Sequence, residues 1–134
     1  MKLNPFFLFL KSLVILNFAH AATYVVNNGE SIQSSVSGTA SGDVVIVRGG
    51  TYSDQNITIT QPIRLAREKT TTVTIGGQIK LSGVSGNIVL RDFAIDVNGN
   101  GKLIIENCTN VGIEDLTDLP QGIEISNSTV IIRS

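Results

Sequence analysis

The chain has almost none of the residues that usually carry nucleophilic or metal-dependent catalysis. Its 134 residues include one histidine, His20, one cysteine, Cys108, and no tryptophan. Ser-His and Cys-His nucleophilic sites and the common zinc sites need histidine, and an internal disulfide needs a second cysteine. Because Cys108 lies between apolar and small residues, we expect a buried thiol that packs as a small hydrophobic group. The sequence predicts no metal site, and its catalytic residues, if it has any, are unknown.

The only long apolar run has the features of a secretory signal. Lys2 supplies a positive start, a mostly apolar stretch follows, and Ala19-His20-Ala21 matches an A-x-A cleavage site. A membrane anchor, the alternative, needs about 20 uninterrupted apolar residues, and Lys11 interrupts this run. We expect residues 1–21 to be removed, which leaves residues 22–134 as a single secreted domain, periplasmic or extracellular, with no histidine and no membrane contact.

Basic charge and aromatic surface are also scarce in the expected mature chain. Without Lys2 and Lys11 it has 8 basic and 11 acidic side chains, a net charge of −3. Nucleic-acid binding needs a basic face, so we predict no nucleic-acid partner. The three remaining aromatic residues, Tyr24, Tyr52 and Phe93, make a poor platform for stacking on sugars.

What the sequence does contain is a repeat of about 20 to 25 residues. Ile105-Glu106-Asn107-Cys108-Thr109 is echoed by Ile125-Ser126-Asn127-Ser128-Thr129, 20 positions later. Units of this length built from short alternating strands predict a solenoid, because one unit cannot bury its own apolar face. Ile105 and Ile125 should then point inward at equivalent positions in neighbouring coils.

Two columns of inward-facing apolar residues can be aligned along this repeat. The first holds Ile57 and Ile59, Ile79 and Leu81, Leu103 and Ile105, and Ile123 and Ile125; the second holds Ile63 and Leu65, Ile88 and Leu90, Val111 and Ile113, and Val130 and Ile132. A third strand is indicated at Val73–Ile75 and Phe93–Ile95. Buried parallel strands are rich in β-branched residues, as these are. Antiparallel hairpins are the alternative, and Asn98–Gly101 has the composition of a hairpin turn.

The hydrophobic spacing changes once, near the start of the expected domain. Ile32 and Val36 are four residues apart, the spacing of one helical face, and Gly38 ends the pattern. A short helix here would cover the apolar cross-section of the first coil.

The same region carries a resemblance to a known family. The series Asn28-Gly29-Glu30-Ser31-Ile32-Gln33, Gly42-Asp43-Val44-Val45-Ile46-Val47 and Gly50-Thr51-Tyr52 resembles the entry of pectin-lyase-like right-handed parallel β-helix proteins. It is most similar to the N-terminal part of secreted polysaccharide lyases of the chondroitinase B and alginate lyase group. The resemblance implies an all-β, right-handed parallel β-helix of about four coils with an N-terminal capping helix. It also implies an acidic polysaccharide partner and, in this family, a Ca²⁺ ion.

Asparagine recurs at one turn position of the repeat. Gln61, Gly83, Asn107 and Asn127 all follow a strand of the first column. Asn tolerates a left-handed backbone, and its amide can bond to an equivalent amide one coil away. We expect a stack of turn side chains with a structural role.

Charged residues form a second column, which supplies the candidate ligand-binding residues. The alignment places Arg91, Glu114 and Arg133 above one another on the outer surface, with Asp92 and Asp115 beside them. One interpretation is a ladder of exposed ion pairs, each contributing about 0–1 kcal/mol. The other is a groove for a uronate polysaccharide, to which Lys80 would also contribute; in the lyases that the chain resembles, a Lys and an Arg act on the bound uronate. No position of this chain matches that catalytic motif.

The last strand, Val130–Arg133, is not followed by a covering element. The apolar pair Ile131-Ile132 predicts a further coil. We expect the chain to be the N-terminal part of a longer solenoid, to associate end to end with another copy, or to fray here.

Two functions fit these observations. One is a carbohydrate-associated module similar to the N-terminal part of a polysaccharide lyase and inactive by itself. The other is a structural or adhesive surface solenoid without enzymatic activity.

Overall fold

The computed structural model describes residues 20–92, 94–95, 101–116 and 122–134. Within these residues the chain forms the helix α1 (Ile32–Ser37) and eleven strands: β1 (Thr23–Val26), β2 (Val44–Val47), β3 (Gly50–Ile59), β4 (Arg64–Arg67), β5 (Val73–Ser82), β6 (Ile88–Arg91), β7 (Ala94–Ile95), β8 (Lys102–Glu106), β9 (Val111–Glu114), β10 (Ile123–Ser126) and β11 (Val130–Arg133). Residues 1–19 of the predicted signal segment lie outside the described part. No helix within the described part is both long and apolar enough to cross a membrane.

The strands build two parallel sheets. Sheet A has the order β1-β2-β4-β6-β9-β11, and sheet B has the order β10-β8-β5-β3, with β7 also paired to β5. All of these pairs are parallel. β1 and β2 both lie in sheet A; from β2 to β11 the chain alternates between the two sheets, except that β7 and β8 both lie in sheet B. The predicted parallel β-helix of about four turns is confirmed. The antiparallel alternative is wrong, because β7 and β8, which flank the proposed hairpin turn, both pair parallel with β5.

Sheet B bends, so that the coil has three sides. The register of β3 against β5 shifts between Tyr52 and Gln55. At the same height β5 passes through Gly77, whose φ is +87° and where a Cβ atom would lie 2.2 Å from the Gln55 carbonyl oxygen. Only glycine fits this approach. The half of β5 before the bend pairs with β7, as predicted for Val73–Ile75; of its expected partner, Ala94 and Ile95 are described and in register, while Phe93 lies outside the described residues.

The two predicted columns form the core. Register aligns the first column through Ile57, Ile79, Leu103 and Ile123, and again through Ile59, Leu81, Ile105 and Ile125. The second column aligns Leu65, Leu90, Ile113 and Ile132. Except in the last coil these side chains are buried, and Cys108 is buried among them as expected. The alignment made from the sequence is confirmed.

Polar residues with a left-handed backbone make the corners. Asn107, Asn127 and Gly83 occupy equivalent corners with φ of 53°, 45° and 64°. Asn127 Nδ2 donates to Asn107 Oδ1 at 3.3 Å, so the predicted amide stack is present between these two coils. The prediction is wrong for Gln61, which does not adopt the left-handed backbone, because it precedes Pro62 and is therefore restricted to extended conformations.

Helix α1 covers the N-terminal end, as predicted. Ile32 and Val36 are buried on the core. At the exposed edge of β3, Gln33 Oε1 accepts from the Thr58 N–H at 2.6 Å and there takes the place of a strand from a preceding coil. Gln55, itself a residue of β3, accepts with Oε1 from the Ile32 N–H at 3.2 Å and so holds the start of α1 against this strand.

No described element covers the last coil. Ile125, Ile131 and Ile132 are 47%, 49% and 52% exposed, whereas Ile105, one coil earlier, is 0% exposed. The open apolar end that the sequence predicted at Ile131-Ile132 is thus present in the structure.

Candidate functional site

The outer face of sheet A presents two rows of side chains, because strand residues alternate between the two faces of a sheet. Register places Ile46, Ala66, Arg91, Glu114 and Arg133 in one row. The neighbouring row holds Val44, Arg64, Val89, Gly112 and Ile131. The first row therefore changes along the solenoid from apolar in the first coils to charged in the later ones, whereas Arg64 is the one charged residue of the second row.

A concave site lies at the N-terminal half of this face, and we call it the sheet A groove. Its volume is about 630 Å³, and it is lined by Val44, Ile46, Arg64, Ala66, Arg67, Glu68, Lys69, Arg91 and Asp92. Three small or branched apolar side chains make the floor, and four basic side chains surround it, against two carboxylates. The volume is in the range typical of small-molecule sites.

Ion pairs fix the positions of the basic groups at one side of the groove. Arg91 lies 3.2 Å from Asp92, 3.9 Å from Glu114 and 4.0 Å from Asp115. Arg67 Nη2 lies 4.0 Å from Asp92, and Arg67 Nη1 donates to the Thr71 carbonyl oxygen. The Arg67 and Arg91 guanidinium groups are thus held by shared acidic neighbours.

The Nε atoms of Arg67 and Arg91 nevertheless lack a hydrogen-bond acceptor. Both atoms are buried, and neither makes a hydrogen bond to the described part of the chain. Arg91 Nε is 3.2 Å from Asp92 Oδ2, a distance that allows Coulomb attraction although the N–H does not point correctly for a hydrogen bond. Buried donors without a partner are costly. Because both Nε atoms are shielded from solvent, an acceptor that enters the groove would meet the exposed parts of these side chains, which are 36% and 39% exposed.

The structure brings together three of the four ligand-binding residues predicted from the sequence. Arg91, Glu114 and Arg133 form a vertical ladder, in which Arg133 Nη1 lies 3.3 Å from Glu114 Oε1. Only Arg91 also lines the groove. The ladder interpretation of this column is supported by contacts, but it does not exclude the groove, because the two features share Arg91.

Lys80 lies elsewhere, on sheet B. Lys80 Nζ is 2.7 Å from Glu106 Oε1, and Ser82 Oγ donates to the same oxygen at 2.9 Å. The Lys80 ammonium, followed by the Ser82 hydroxyl, lowers the pKa of Glu106 below its ordinary value of 4.5. Lys80 therefore belongs to a separate surface ion pair and cannot act together with Arg91.

The sequence reasoning missed three basic residues of the groove. Arg64, Arg67 and Lys69 lie in or just after β4, and they meet Arg91 of β6 because β4 and β6 are neighbours in sheet A. The sequence offers one signal for them, the three basic residues within 64–69. The offset of 25 residues that places Leu65 opposite Leu90 also brings this basic segment beside Arg91.

The carboxylates near the groove do not fit the Ca²⁺ that the resemblance implies. Asp92, Glu114 and Asp115 all lie within 4.0 Å of Arg91, whereas Ca²⁺ takes six to eight oxygen ligands. Within the described residues there is also no group of three or more His, Cys, Asp or Glu side chains that could hold a metal ion.

Among the described residues no aromatic side chain lines the groove, and Phe93, which follows Asp92 in the sequence, lies outside them. The Tyr24 hydroxyl donates to the Gly38 carbonyl oxygen at 2.8 Å, and Tyr52 is buried in the core. Burial, followed by the charge of Glu30, raises the pKa of Tyr52 above 10.0. Within the described part of the chain the groove therefore offers an apolar floor and cationic donors. No protein-family model, curated protein or solved structure matches this chain.

Proposed function

We propose that this chain is a secreted β-helix module that binds an acidic polysaccharide in the sheet A groove, and that it is inactive as a lyase by itself. The observation that carries the proposal is a groove in which four basic side chains surround an apolar floor against two carboxylates, with the Arg67 and Arg91 side chains still 36% and 39% exposed. A carboxylate is the ligand that guanidinium groups recognise best, because two parallel N–H···O bonds match its geometry.

The arrangement of the basic groups favours a repeating anion over a single one. Arg64 stands on β4 and Arg91 on β6, so they belong to successive coils, about 4.8 Å apart in the direction of stacking. A uronate polymer presents one carboxylate after another along a chain. The apolar floor of Val44, Ile46 and Ala66 would contact the C–H face of a sugar ring. The family resemblance points to the same substrate class, uronate polysaccharides.

Absence of lyase activity is proposed because no recognisable acid–base set accompanies the groove. Lys69 and Arg91 are of the residue types that act in the lyases that the chain resembles, and both line the groove. Neither stands in a motif of that family. The expected histidine-free mature chain also lacks the most frequent general base.

Binding can be measured by calorimetry with alginate, polygalacturonate and chondroitin, with dextran as the neutral control. We expect binding to the three acidic polymers, weakening as salt concentration rises, and none to dextran. Arg64→Ala, Arg67→Ala and Arg91→Ala should each weaken it roughly tenfold, since a hydrogen bond to a charged group contributes about 1.5–3 kcal/mol.

Lys80→Ala is the matched control, because it removes one positive charge from the other sheet. It should leave the affinity unchanged. Equal weakening by Lys80→Ala would mean that net charge, not the groove, attracts the polymer. No binding to any acidic polymer would refute the proposed function.

Activity can be followed by the ultraviolet absorbance of unsaturated uronate products. We expect no turnover. Product formation that disappears in Lys69→Ala but persists in Lys80→Ala would show that the groove is an active site.

A structural or adhesive surface solenoid remains the second candidate. The specific observation that favours it is the ladder in which Arg91, Glu114 and Arg133 already neutralise one another. Such a protein would keep its stability and its solenoid shape in all three groove variants and would bind no soluble polymer.

A further inference from the structure

Asp92 is a lining residue of the sheet A groove that carries the same charge as the proposed ligand. It directly follows β6, and its carboxylate lies between two basic side chains. Asp92 Oδ2 is 3.2 Å from Arg91 Nε, and Asp92 Oδ1 is 4.0 Å from Arg67 Nη2. Each carboxylate oxygen thus faces a different guanidinium group. Asp92 therefore lies where a ligand carboxylate that bridged these two arginines would bind.

The corner after β6 fixes the backbone of Asp92. Its φ is 63°, a left-handed conformation that Asp adopts more readily than most other residues. Its N–H donates to the Glu114 carbonyl oxygen at 3.1 Å, which ties the corner to the next coil. The corner thus keeps the carboxylate at the groove, and a ligand that binds at Arg67 and Arg91 meets its charge.

Asp92 is nevertheless a weak partner for the two arginines. Its distance to Arg67 is at the outer limit of an ion pair, and Arg91 Nε lies close to Oδ2 without making a hydrogen bond to it. The Asp92 side chain is 29% exposed, and ion pairs that are open to solvent and poorly aligned contribute little to stability.

Both guanidinium groups also have other partners. Arg67 Nη1 donates to the Thr71 carbonyl oxygen. Arg91 lies 3.9 Å from Glu114 and 4.0 Å from Asp115. Removal of the Asp92 carboxylate would therefore leave both groups in place at the groove.

The other two basic residues of the groove, Arg64 and Lys69, differ from this pair. Both are exposed, and neither makes an ion pair with the described part of the chain. Arg64 begins β4 and Lys69 lies two residues beyond its end. At about 3.3 Å per residue, Arg64 is roughly 10 Å from Arg67 along the strand. A carboxylate that bridges Arg67 and Arg91 therefore leaves Arg64 to a second anionic group.

The two sets of basic residues offer a ligand different gains. A carboxylate that binds at Arg67 and Arg91 either displaces Asp92 or lies close to it, where like charges repel. A carboxylate at Arg64 or Lys69 forms an ion pair without displacing a described one. Most of the net affinity should therefore come from Arg64 and Lys69, and a ligand with one carboxylate gains little.

We propose that Asp92 is a specificity-determining residue of the groove. It serves as the counter-ion of Arg67 and Arg91, excludes sugars with a single carboxylate, and restricts binding to acidic polymers that also reach Arg64 and Lys69. This selectivity rests on the proposed function, because it concerns the same groove and the same class of ligand.

Asp115 is the matched residue for a test. Because β6 and β9 are in register, Asp115 occupies the equivalent corner one coil later, with a φ of 51°. Its Oδ2 also lies 4.0 Å from Arg91 Nη2. Asp115 does not belong to the groove lining, so its neutralisation changes the net charge equally without opening the site between Arg67 and Arg91.

Calorimetry at one salt concentration, with galacturonate and with polygalacturonate, tests the role of Asp92. We expect the wild type to bind the polymer and not the monomer. Asp92→Asn, which keeps the left-handed backbone, should bind the polymer roughly tenfold more tightly and should bind the monomer measurably. Asp92→Gly, which adopts this backbone without strain, should show the same gain. Asp115→Asn should leave both affinities unchanged.

The outcomes separate this role from the proposed function. Polymer binding by the wild type without a gain in either Asp92 variant would overturn the role of Asp92 and leave the proposed function standing. An equal gain in Asp115→Asn, or monomer binding by the wild type, would do the same. Polymer binding by Asp92→Asn but not by the wild type would support the role of Asp92 and refute the proposed function. No binding by any variant, each with a cooperative thermal transition, would overturn both.

Discussion

At its N-terminal end the solenoid is closed by α1, with two buried apolar side chains and the Gln33 amide on the edge of β3. At the other end of the described part the inward side chains of the last coil are bare, with Ile125 and Ile132 about half exposed. The coils between the ends have the same inward columns and the same corners. The difference shows that burial in this fold is supplied by the neighbouring coil, not by the coil itself.

The strongest way to test this comparison is to place one carboxylate in two coils of the same column. Ile105 and Ile125 are in register one coil apart, but Ile105 is 0% exposed and Ile125 47% exposed. Ile105→Asp should unfold the domain, since an unpaired buried carboxylate costs several kcal/mol, comparable with total domain stability.

Ile125→Asp is the matched variant, because its carboxylate stays in contact with water. We expect a folded protein with a modest loss of stability in thermal denaturation. Equal melting temperatures for the two variants would mean that the last coil is as well buried as the interior and would refute the comparison.

The corners offer a second test of the same contrast. Asn107 and Asn127 both have a left-handed backbone, which costs a non-glycine residue such as alanine roughly 1–2 kcal/mol. Asn107→Ala should lower the free energy of unfolding by about 1 kcal/mol, because β8 is paired on both sides. Asn127→Ala should cost less, because the strain can be relieved by local opening of the terminal coil.

Glycine at either position serves as the control, since it adopts the left-handed backbone without strain. Asn107→Gly should therefore be close to wild type in urea denaturation. A full loss of stability in Asn107→Gly would show that the amide bond to Asn127, not the backbone conformation, holds the corner.

The interior of this fold could be predicted from the sequence, because its signals recur with the coil. Inward columns such as Ile57, Ile79 and Leu103 show the alternation of a strand at each repeat. The ladder of Arg91, Glu114 and Arg133 followed from the same alignment. Gln61 failed because its neighbour Pro62 restricts the backbone, a local exception that the repeat alone does not reveal.

The groove and the side-chain contacts at the N-terminal end could not be predicted, because they depend on contacts that do not recur. Arg67 and Arg91 are 24 residues apart in the sequence, and they meet because β4 pairs with β6. The amide contact of Gln33 with Thr58 joins helix α1 to the edge of β3. Neither contact has a period that a single sequence displays.

Removal of the hydrogen bond from the Thr58 N–H to the Gln33 amide is the third test of the contrast between the two ends. Gln33→Ala deletes the acceptor of the Thr58 N–H and should lower the free energy of unfolding by about 0.5–1.5 kcal/mol, the net contribution of one hydrogen bond. Amide exchange at Thr58 should become faster. Ser34→Ala, at an exposed position of the same helix, should change neither the free energy of unfolding nor the exchange rate at Thr58. An equal loss of stability in Ser34→Ala would indicate that helix propensity, not the Gln33 contact, causes the effect.

The smallest expected effect is on the acid dependence of stability, and it compares Glu30, next to helix α1, with Glu106 in a later coil. The pKa of Glu30 lies below its ordinary value of 4.5 because the Asn27 backbone N–H, and then its side-chain amide, donates to the carboxylate. The pKa of Glu106 is lowered by Lys80 and then by Ser82. Both carboxylates bind protons more readily in the unfolded chain, so their contribution to the free energy of unfolding is complete above pH 4.5 and is lost as the pH falls through the folded pKa.

Glu30→Gln and Glu106→Gln should each make the stability less dependent on pH in that acidic range, with parallel profiles near neutral pH. Urea titrations across the range check this. If stability falls with acid as steeply in Glu106→Gln as in the unmodified protein, Lys80 does not hold the Glu106 carboxylate in solution. If the slope is unchanged only in Glu30→Gln, the acid-sensitive contact lies at Glu106 and not at Glu30.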